Sequence, residues 1–115
     1  MNKILPFLIL TTIYIQAFEC QVEIDNEQVA VSRVFIDGNE EIGLHRDDYN
    51  EVVIAIKGGT ITRIEANGRE VDVVFPTGIA VYRPKDPEGE LHRSINKSAE
   101  AMELIAIQIK NTNQE

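Results

Sequence analysis

Three imidazole or carboxylate side chains lie close together in the segment GLHRDDYNEVVIAIKGG, residues 43–59: His45, Asp47 and Glu51. Side chains two residues apart point to the same side of a β-strand, so His45 and Asp47 can converge on one point, and Glu51 keeps that parity if the strand continues. Imidazole and carboxylate groups together are typical ligands of a divalent first-row metal ion. The segment therefore indicates half of a metal site, and a solvated loop and an acid/base site are the alternatives.

A second histidine lies further along the chain in the segment PEGELHRSIN, residues 87–96. Pro87 and Gly89 favour a tight turn, which would present His92 at the start of another strand. His45 and His92 are the two histidines of the chain. The second segment is thus a candidate for the other half of the same site.

The chain after Gln21 has the pattern of short β-strands separated by turns. Polar and apolar residues alternate in QVEID and VAVSRVFID, whereas EVVIAIK is almost continuously apolar, as in a strand buried on both faces. Asn67-Gly68 predicts a type I′ turn within a hairpin, GIAVYRP and MELIAIQIK supply further strands, and INKSAEAME has room for one helical turn. About seven strands with such turns predict an all-β sandwich or barrel that forms a single domain over residues 21–115.

The two histidine-bearing segments together resemble the two sequence motifs of the cupin family. The order and spacing of the first motif are matched by His45, Glu51 and Gly58, and those of the second by Pro87, Gly89, His92 and Asn96. The resemblance extends from about Val29 to Lys110. It implies a small, RmlC-like jelly-roll β-barrel with its functional site in the mouth of the barrel.

Cupins hold one metal ion with three histidines and a glutamate, and the resemblance assigns His45, Glu51 and His92 to that role. Asp47 stands where the family has its second histidine, and the extra residues between Gly78 and Pro87 imply either a small insertion, KDP at residues 85–87, or a shifted turn. The implied ligand set is therefore His45, Asp47, Glu51 and His92. The implied ion is manganese, iron, zinc or nickel, because additional carboxylate oxygen favours harder ions such as Mn²⁺ or Fe²⁺ over copper.

The acidic composition of the chain argues against nucleic acids and anionic membranes as partners. The 115-residue chain has a formal net charge of −8, and an acidic protein is repelled by nucleic acid and by anionic membranes. A small-molecule ligand or substrate is therefore expected. Three hypotheses remain open: a metal-dependent enzyme whose catalytic residues are not identified, a domain that binds a ligand without turnover, and a scaffold, for instance a homodimer, with a degenerate metal site.

The N-terminus has the pattern of a secretory signal peptide over residues 1–17. Lys3 precedes the uncharged run ILPFLILTTIYIQA, which is shorter than the roughly 20 residues of a membrane-spanning helix. This predicts a periplasmic or secreted protein whose mature chain has no integral membrane segment. Two alternatives are an N-terminal core strand and a signal that extends to residue 19, after which the chain would be lipid-anchored through Cys20, its single cysteine.

Overall fold

The computed structural model describes residues 18–110, and these form nine β-strands. The strands are β1 (Phe18–Asp25), β2 (Val29–Ile36), β3 (Glu41–His45), β4 (Asn50–Lys57), β5 (Gly59–Glu65), β6 (Glu70–Phe75), β7 (Ala80–Arg83), β8 (His92–Ile95) and β9 (Met102–Ile109). The predicted all-β class is thus confirmed. A search of the described residues for a helix long and apolar enough to cross a membrane finds none. The predicted signal peptide lies outside the described residues.

The strands form two sheets in the arrangement of a jelly roll. One sheet has the order β1-β2-β9-β4-β7 and the other the order β3-β8-β5-β6, and all neighbouring strands within them are antiparallel. Alternate residues of each strand point between the sheets and form the core. The core consists of Ile36, Val53, Ala55, Ile61, Phe75, Met102 and Leu104.

The central strand β4 departs from its predicted burial on both faces. Val53 and Ala55 are buried between the sheets, but Ile56 is 50% exposed and Ile54 is only half-buried. Within the described part of the chain, no further layer covers the other face of this strand. The continuous apolar run of EVVIAIK therefore has only one of its two faces buried in the core.

The hairpin between β5 and β6 lies where it was predicted, but its turn is of another type. The Gly68 N–H donates to the Glu65 carbonyl at 2.8 Å, and the Glu65 N–H donates to the Arg69 carbonyl at 2.9 Å. Gly68 has φ +89°, whereas Asn67 is not among the described residues with positive φ, so the two-residue type I′ turn is wrong. The connection is a three-residue loop that ends in a left-handed glycine.

The predicted helical turn near INKSAEAME does not form, because Asn96 organises residues 96–101 into a bend. The Asn96 side chain is fully buried, and its amide nitrogen donates to the carbonyls of Ile36, Asp37 and Glu100 at 3.3, 3.2 and 2.8 Å. Its amide oxygen accepts from the Ser98 N–H and hydroxyl at 3.1 and 2.8 Å. Local side-chain bonds of this kind compete with helix formation.

Replacing Asn96 by alanine should destabilise the protein by about 2–4 kcal/mol, because several buried backbone groups lose their partner and a cavity forms. The measurement is urea unfolding followed by circular dichroism. Asn67→Ala, which changes an exposed turn residue, is the matched control and should cost less than about 1 kcal/mol. An equal effect of both substitutions would contradict this role of Asn96.

Candidate functional site

A cavity of about 350 Å³ lies between the two sheets. Its apolar wall includes Val34, Ile36, Ile61, Phe75 and Leu104, and its polar side chains include those of His45, Asp47, Glu51, Arg83 and His92. All four residues predicted to bind metal therefore line one cavity.

The two histidines meet across a pair of neighbouring strands. His45 is the last residue of β3 and His92 is the first residue of β8, and the strand register places them opposite each other. Their ring centroids are 4.3 Å apart, with an angle of 59° between the ring planes. His92 is 2% exposed, whereas His45 is half-buried.

Asp47 reaches the histidines by a different route from the one predicted. Strand β3 ends at His45, and β4 begins at Asn50 in the opposite sheet, so no continuous strand carries His45, Asp47 and Glu51. The prediction that strand parity aligns these three side chains is therefore wrong. Asp47 lies in the connection between the sheets, where its position depends on contacts to another loop.

The donor atoms of three side chains converge. The Asp47 carboxylate lies 3.6 Å from His45 Nε2 through Oδ1, and 3.5 Å from His92 Nε2 through Oδ2. His45 Nδ1 is 2.6 Å from the Gly43 carbonyl, so a proton on Nδ1 donates to that oxygen and leaves Nε2 free as a ligand. One potential ligand atom from each of the three residues lies within 4.8 Å of the others.

Asp86 braces the group formed by His45, Asp47 and His92, and the sequence analysis did not identify it as a site residue. It lies in the insertion KDP and is 4% exposed. Its Oδ2 accepts from the Asp47 N–H at 2.8 Å, and its Oδ1 accepts from Arg63 at 2.7 Å. His92 Nδ1 lies 3.2 Å from Oδ2 but is not aligned for a hydrogen bond. The insertion itself could have drawn attention to Asp86, because it adds a carboxylate next to the second motif.

Backbone contacts and Arg46 fasten the two loops to each other. The Asp86 N–H donates to the Asp47 carbonyl at 2.9 Å. Arg46 donates to the carbonyls of Asp86 and Pro87 at 2.9 and 3.2 Å. The loop that carries Asp47 and the loop that leads to His92 therefore form one braced unit.

Burial and neighbouring charges shift the pKa values of three groups in the cavity. Burial, together with the charges of Arg63 and His45, lowers the pKa of His92 and favours the neutral imidazole that binds metals. Burial alone would raise the pKa of Asp86, but hydrogen bonds from Asp47 and Arg63 outweigh it and lower that pKa. Burial and the charge of Asp47 raise the pKa of Glu51 to about 7.

The raised pKa of Glu51 predicts a pH-dependent stability of the metal-free protein. A pKa that is higher in the folded than in the unfolded state stabilises the fold below the unfolded value of about 4.5, and this contribution disappears as the pH rises through 7. In the presence of chelator, Glu51→Gln should therefore be more stable than the parent at pH 8, by at most about 3 kcal/mol, and equal to it near pH 4. Urea unfolding across this range measures the difference. Glu90→Gln, at an exposed position, should show no such trend, and a pH-independent effect of Glu51→Gln would refute the prediction.

The donor set fits a divalent transition metal ion. Two imidazole nitrogens and one carboxylate match the ligands of known two-histidine, one-carboxylate metal sites. Glu51 lines the same cavity but extends from β4, outside the group formed by His45, Asp47 and His92. Its role as a fourth ligand stays a prediction.

Comparison with known proteins finds similarity at the level of solved structures. No family model matches the sequence, and no curated protein matches it. A cupin domain from Bordetella pertussis is 29% identical, with a TM-score of 0.71, and the match covers 82% of this chain and 94% of that one.

More distant structures share the fold alone. A cupin superfamily protein from Desulfitobacterium hafniense is 12% identical, with a TM-score of 0.58, over 95% of this chain and 92% of that one. The polyketide cyclase RemF from Streptomyces resistomycificus is 14% identical, with a TM-score of 0.59, over 84% of this chain and 67% of that one. Two jelly-roll sheets, the two histidine-bearing motifs at neighbouring strands and the extensive match to a cupin domain lead to one conclusion: the chain has the cupin fold, which supports its assignment to the cupin family.

Proposed function

We propose that the protein binds one divalent first-row metal ion through His45, Asp47 and His92 and holds a small molecule in the adjoining cavity. The observation that carries this proposal is the approach of both histidine Nε2 atoms to the same carboxylate, at 3.6 and 3.5 Å. A degenerate scaffold would have no reason to keep three ligand side chains convergent and braced by a buried carboxylate. The metal-binding alternative is therefore favoured over the scaffold.

The ion is manganese, iron, zinc or nickel, and the carboxylate contribution favours the harder Mn²⁺ and Fe²⁺. When bound, such an ion supplies Lewis acidity that polarises an oxygen atom of a small molecule. Glu51, on the wall of the same cavity, is the proposed fourth protein ligand. A cation beside it would favour its charged form and lower the pKa that burial and Asp47 raise.

The lining of the cavity indicates the kind of small molecule. Its wall is largely apolar, while Arg83 brings a guanidinium into the same space, on the strand paired with that of Glu51. Among the described residues, no carboxylate lies within ion-pair distance of Arg83. A small organic anion with an apolar body satisfies both features, because its acidic group pairs with Arg83 and its body contacts the apolar wall.

The test of the metal proposal is elemental analysis of protein purified without chelators. About one equivalent of a single transition metal is expected, and chelator should remove it and lower the melting temperature. Titration of the chelated protein with Mn²⁺, Fe²⁺, Zn²⁺ and Ni²⁺ then ranks the ions. Metal well below one equivalent, together with a melting temperature that none of the four ions changes, would refute the proposal.

We also propose that the protein is exported and that its signal ends at Ala17, before Phe18. Phe18 lines the cavity and pairs with Ile36 in the sheet, so this cleavage preserves the full length of β1. Lipid anchoring through Cys20 would instead remove Phe18 and Glu19 from that strand. Intact-mass analysis of the natively produced protein distinguishes a chain that starts at Phe18 from an acylated Cys20, and an intact Met1 would contradict export.

A further inference from the structure

Three polar side chains lie side by side on the inner surface of the five-stranded sheet. Arg83 of β7 is paired with Glu51 of β4, and Glu51 is paired with Gln108 of β9. All three residues line the cavity. We call this set, Arg83, Glu51 and Gln108, the polar row. The article so far gives Arg83 and Glu51 a role in binding, whereas Gln108 has none.

Gln108 interrupts the apolar inner face of its own strand. Successive side chains of a strand point to opposite faces, so Gln108 lies on the same face of β9 as Leu104 and Ala106. Leu104 belongs to the buried core, and Ala106 packs against it. The inner face of β9 therefore changes from apolar to polar at the level of Glu51.

The side chains of Gln108 and Arg83 have no hydrogen-bond partner within the described part of the chain. Arg63, which lines the cavity from the other sheet, differs, because it donates to Asp86 and Glu65 at 2.7 and 3.3 Å. A glutamine amide offers two N–H donors and an oxygen acceptor. Gln108 can therefore bond to a ligand without breaking a contact of the fold.

The polar row places different chemistry on the two sides of the proposed metal ligand Glu51. Arg83 brings a positive charge on one side, and Gln108 brings a neutral amide on the other. Val53 and Ala106, which are paired with each other next to the row on the side of the core, also line the cavity. A molecule that lies along the row therefore meets a cation, an apolar wall and an amide in succession.

The width of the sheet limits the length of such a molecule. Strands β7 and β9 are separated by β4 alone, so their backbones are about 10 Å apart. The side chains of Arg83 and Gln108 occupy part of this interval. A short carbon chain with one polar group at each end fits what is left.

We propose that Gln108 determines the specificity of the site and selects a small carboxylic acid that carries a neutral hydrogen-bonding group, such as an amide, at its far end. The inference rests on the proposed function, because the acid end is the anion that pairs with Arg83. An apolar end would leave the Gln108 amide without a partner. A second carboxylate would bring a like charge next to Glu51.

The test is an NMR titration of the protein, with one equivalent of Zn²⁺ added, with the amide acids succinamate, glutaramate, adipamate and pimelamate. Each is compared with the branched acid of the same shape, in which an isopropyl group replaces the amide. The ratio of the two dissociation constants is the amide preference. Gln108→Met keeps the approximate shape of the side chain but removes its hydrogen bonds, so the amide preference should fall about fivefold or more.

Gln108→Asn provides a second variant that keeps the amide and covers the case in which the methionine variant does not fold. It withdraws the amide by one methylene, so the amide acid that binds best should be one methylene longer than for the parent. Gln21→Met is the matched control, because it makes the same change at an exposed position of β1 outside the cavity. It should keep the amide preference of the parent.

An amide preference that Gln108→Met leaves unchanged would overturn this inference, and so would a Gln108→Asn variant that prefers the same acid as the parent. Arg83→Met separates these results from a failure of the proposed function. If the branched acids bind the parent and lose affinity in Arg83→Met, the anion site stands although the role of Gln108 is refuted. If no acid binds the parent, the anion site and the role of Gln108 are both refuted, and metal content still tests the metal site independently.

Discussion

Replacing His92 by alanine should abolish most of the stabilisation that metal gives this protein. A ligand that binds only the folded state at a hundred times its dissociation constant stabilises it by about 2.7 kcal/mol, which raises the melting temperature of a domain of this size by about 10 °C or more. His92 Nε2 faces Asp47, so its loss leaves one histidine in the group. Most of the metal-dependent rise in melting temperature should then disappear.

The comparison must be made within each variant, with metal and with chelator, because His92 is buried and its loss also weakens the metal-free fold. Ser94→Ala is the matched control, since Ser94 follows in the same strand and lines the same cavity. It should keep the full metal-dependent rise. A His92→Ala protein whose melting temperature still responds to metal as the parent does would exclude His92 as a ligand.

The metal-dependent rise in melting temperature should also become smaller at low pH, since imidazole must be neutral to bind metal. Asp47→Ala should retain more of the response than His92→Ala, because water can replace one carboxylate oxygen. Asp47→His restores the residue that cupins have at this position, and it should retain metal while shifting preference towards softer ions. Competition between Mn²⁺ and Zn²⁺ for the chelated variants measures that shift.

Replacing Asp86 by asparagine should weaken both the metal site and the fold. The buried carboxylate orients the Asp47 loop through the Asp47 N–H and compensates Arg63, whose side chain is only 13% exposed. Loss of such a supporting residue typically lowers metal affinity 10–100-fold, and breaking a buried ion pair costs about 3 kcal/mol. Metal titration and urea unfolding measure the two effects separately.

The stability effect of Asp86→Asn should depend on pH in a defined direction. The pKa of Asp86 is lowered in the folded protein, so its contribution is present above the unfolded value near 3.9 and disappears as the pH falls through the folded value. The difference between parent and variant should therefore shrink as the pH falls below about 4. Glu88→Gln removes an exposed carboxylate from the same loop and should change neither the metal affinity nor the stability. Equal effects of the two substitutions would show that Asp86 acts only through net charge.

The outline of the candidate metal site was predictable because short sequence motifs encode it. His45 and His92 lie at the ends of strands that hydrophobic alternation and turn residues mark locally, and the family resemblance predicted that the two strands are neighbours. The all-β class followed from the same local patterns. The type of the turn between β5 and β6 did not follow from local patterns, because the Asn67-Gly68 pair is compatible with more than one loop length. The register of β5 against β6 selected the three-residue loop.

The amino-acid sequence by itself determined the all-β class, the resemblance to cupins and the positions of the two histidines in their motifs, since these depend on residue type and spacing along the chain. Only the tertiary structure decided how Asp47 meets those histidines, because its approach depends on the contact of its loop with Asp86. The same holds for β4: its sequence is apolar on both sides, but only the packing of the two sheets reveals which side is left uncovered in the described part of the chain. Contacts between segments far apart in the chain depend on loop conformation and sheet packing, and no local pattern encodes either.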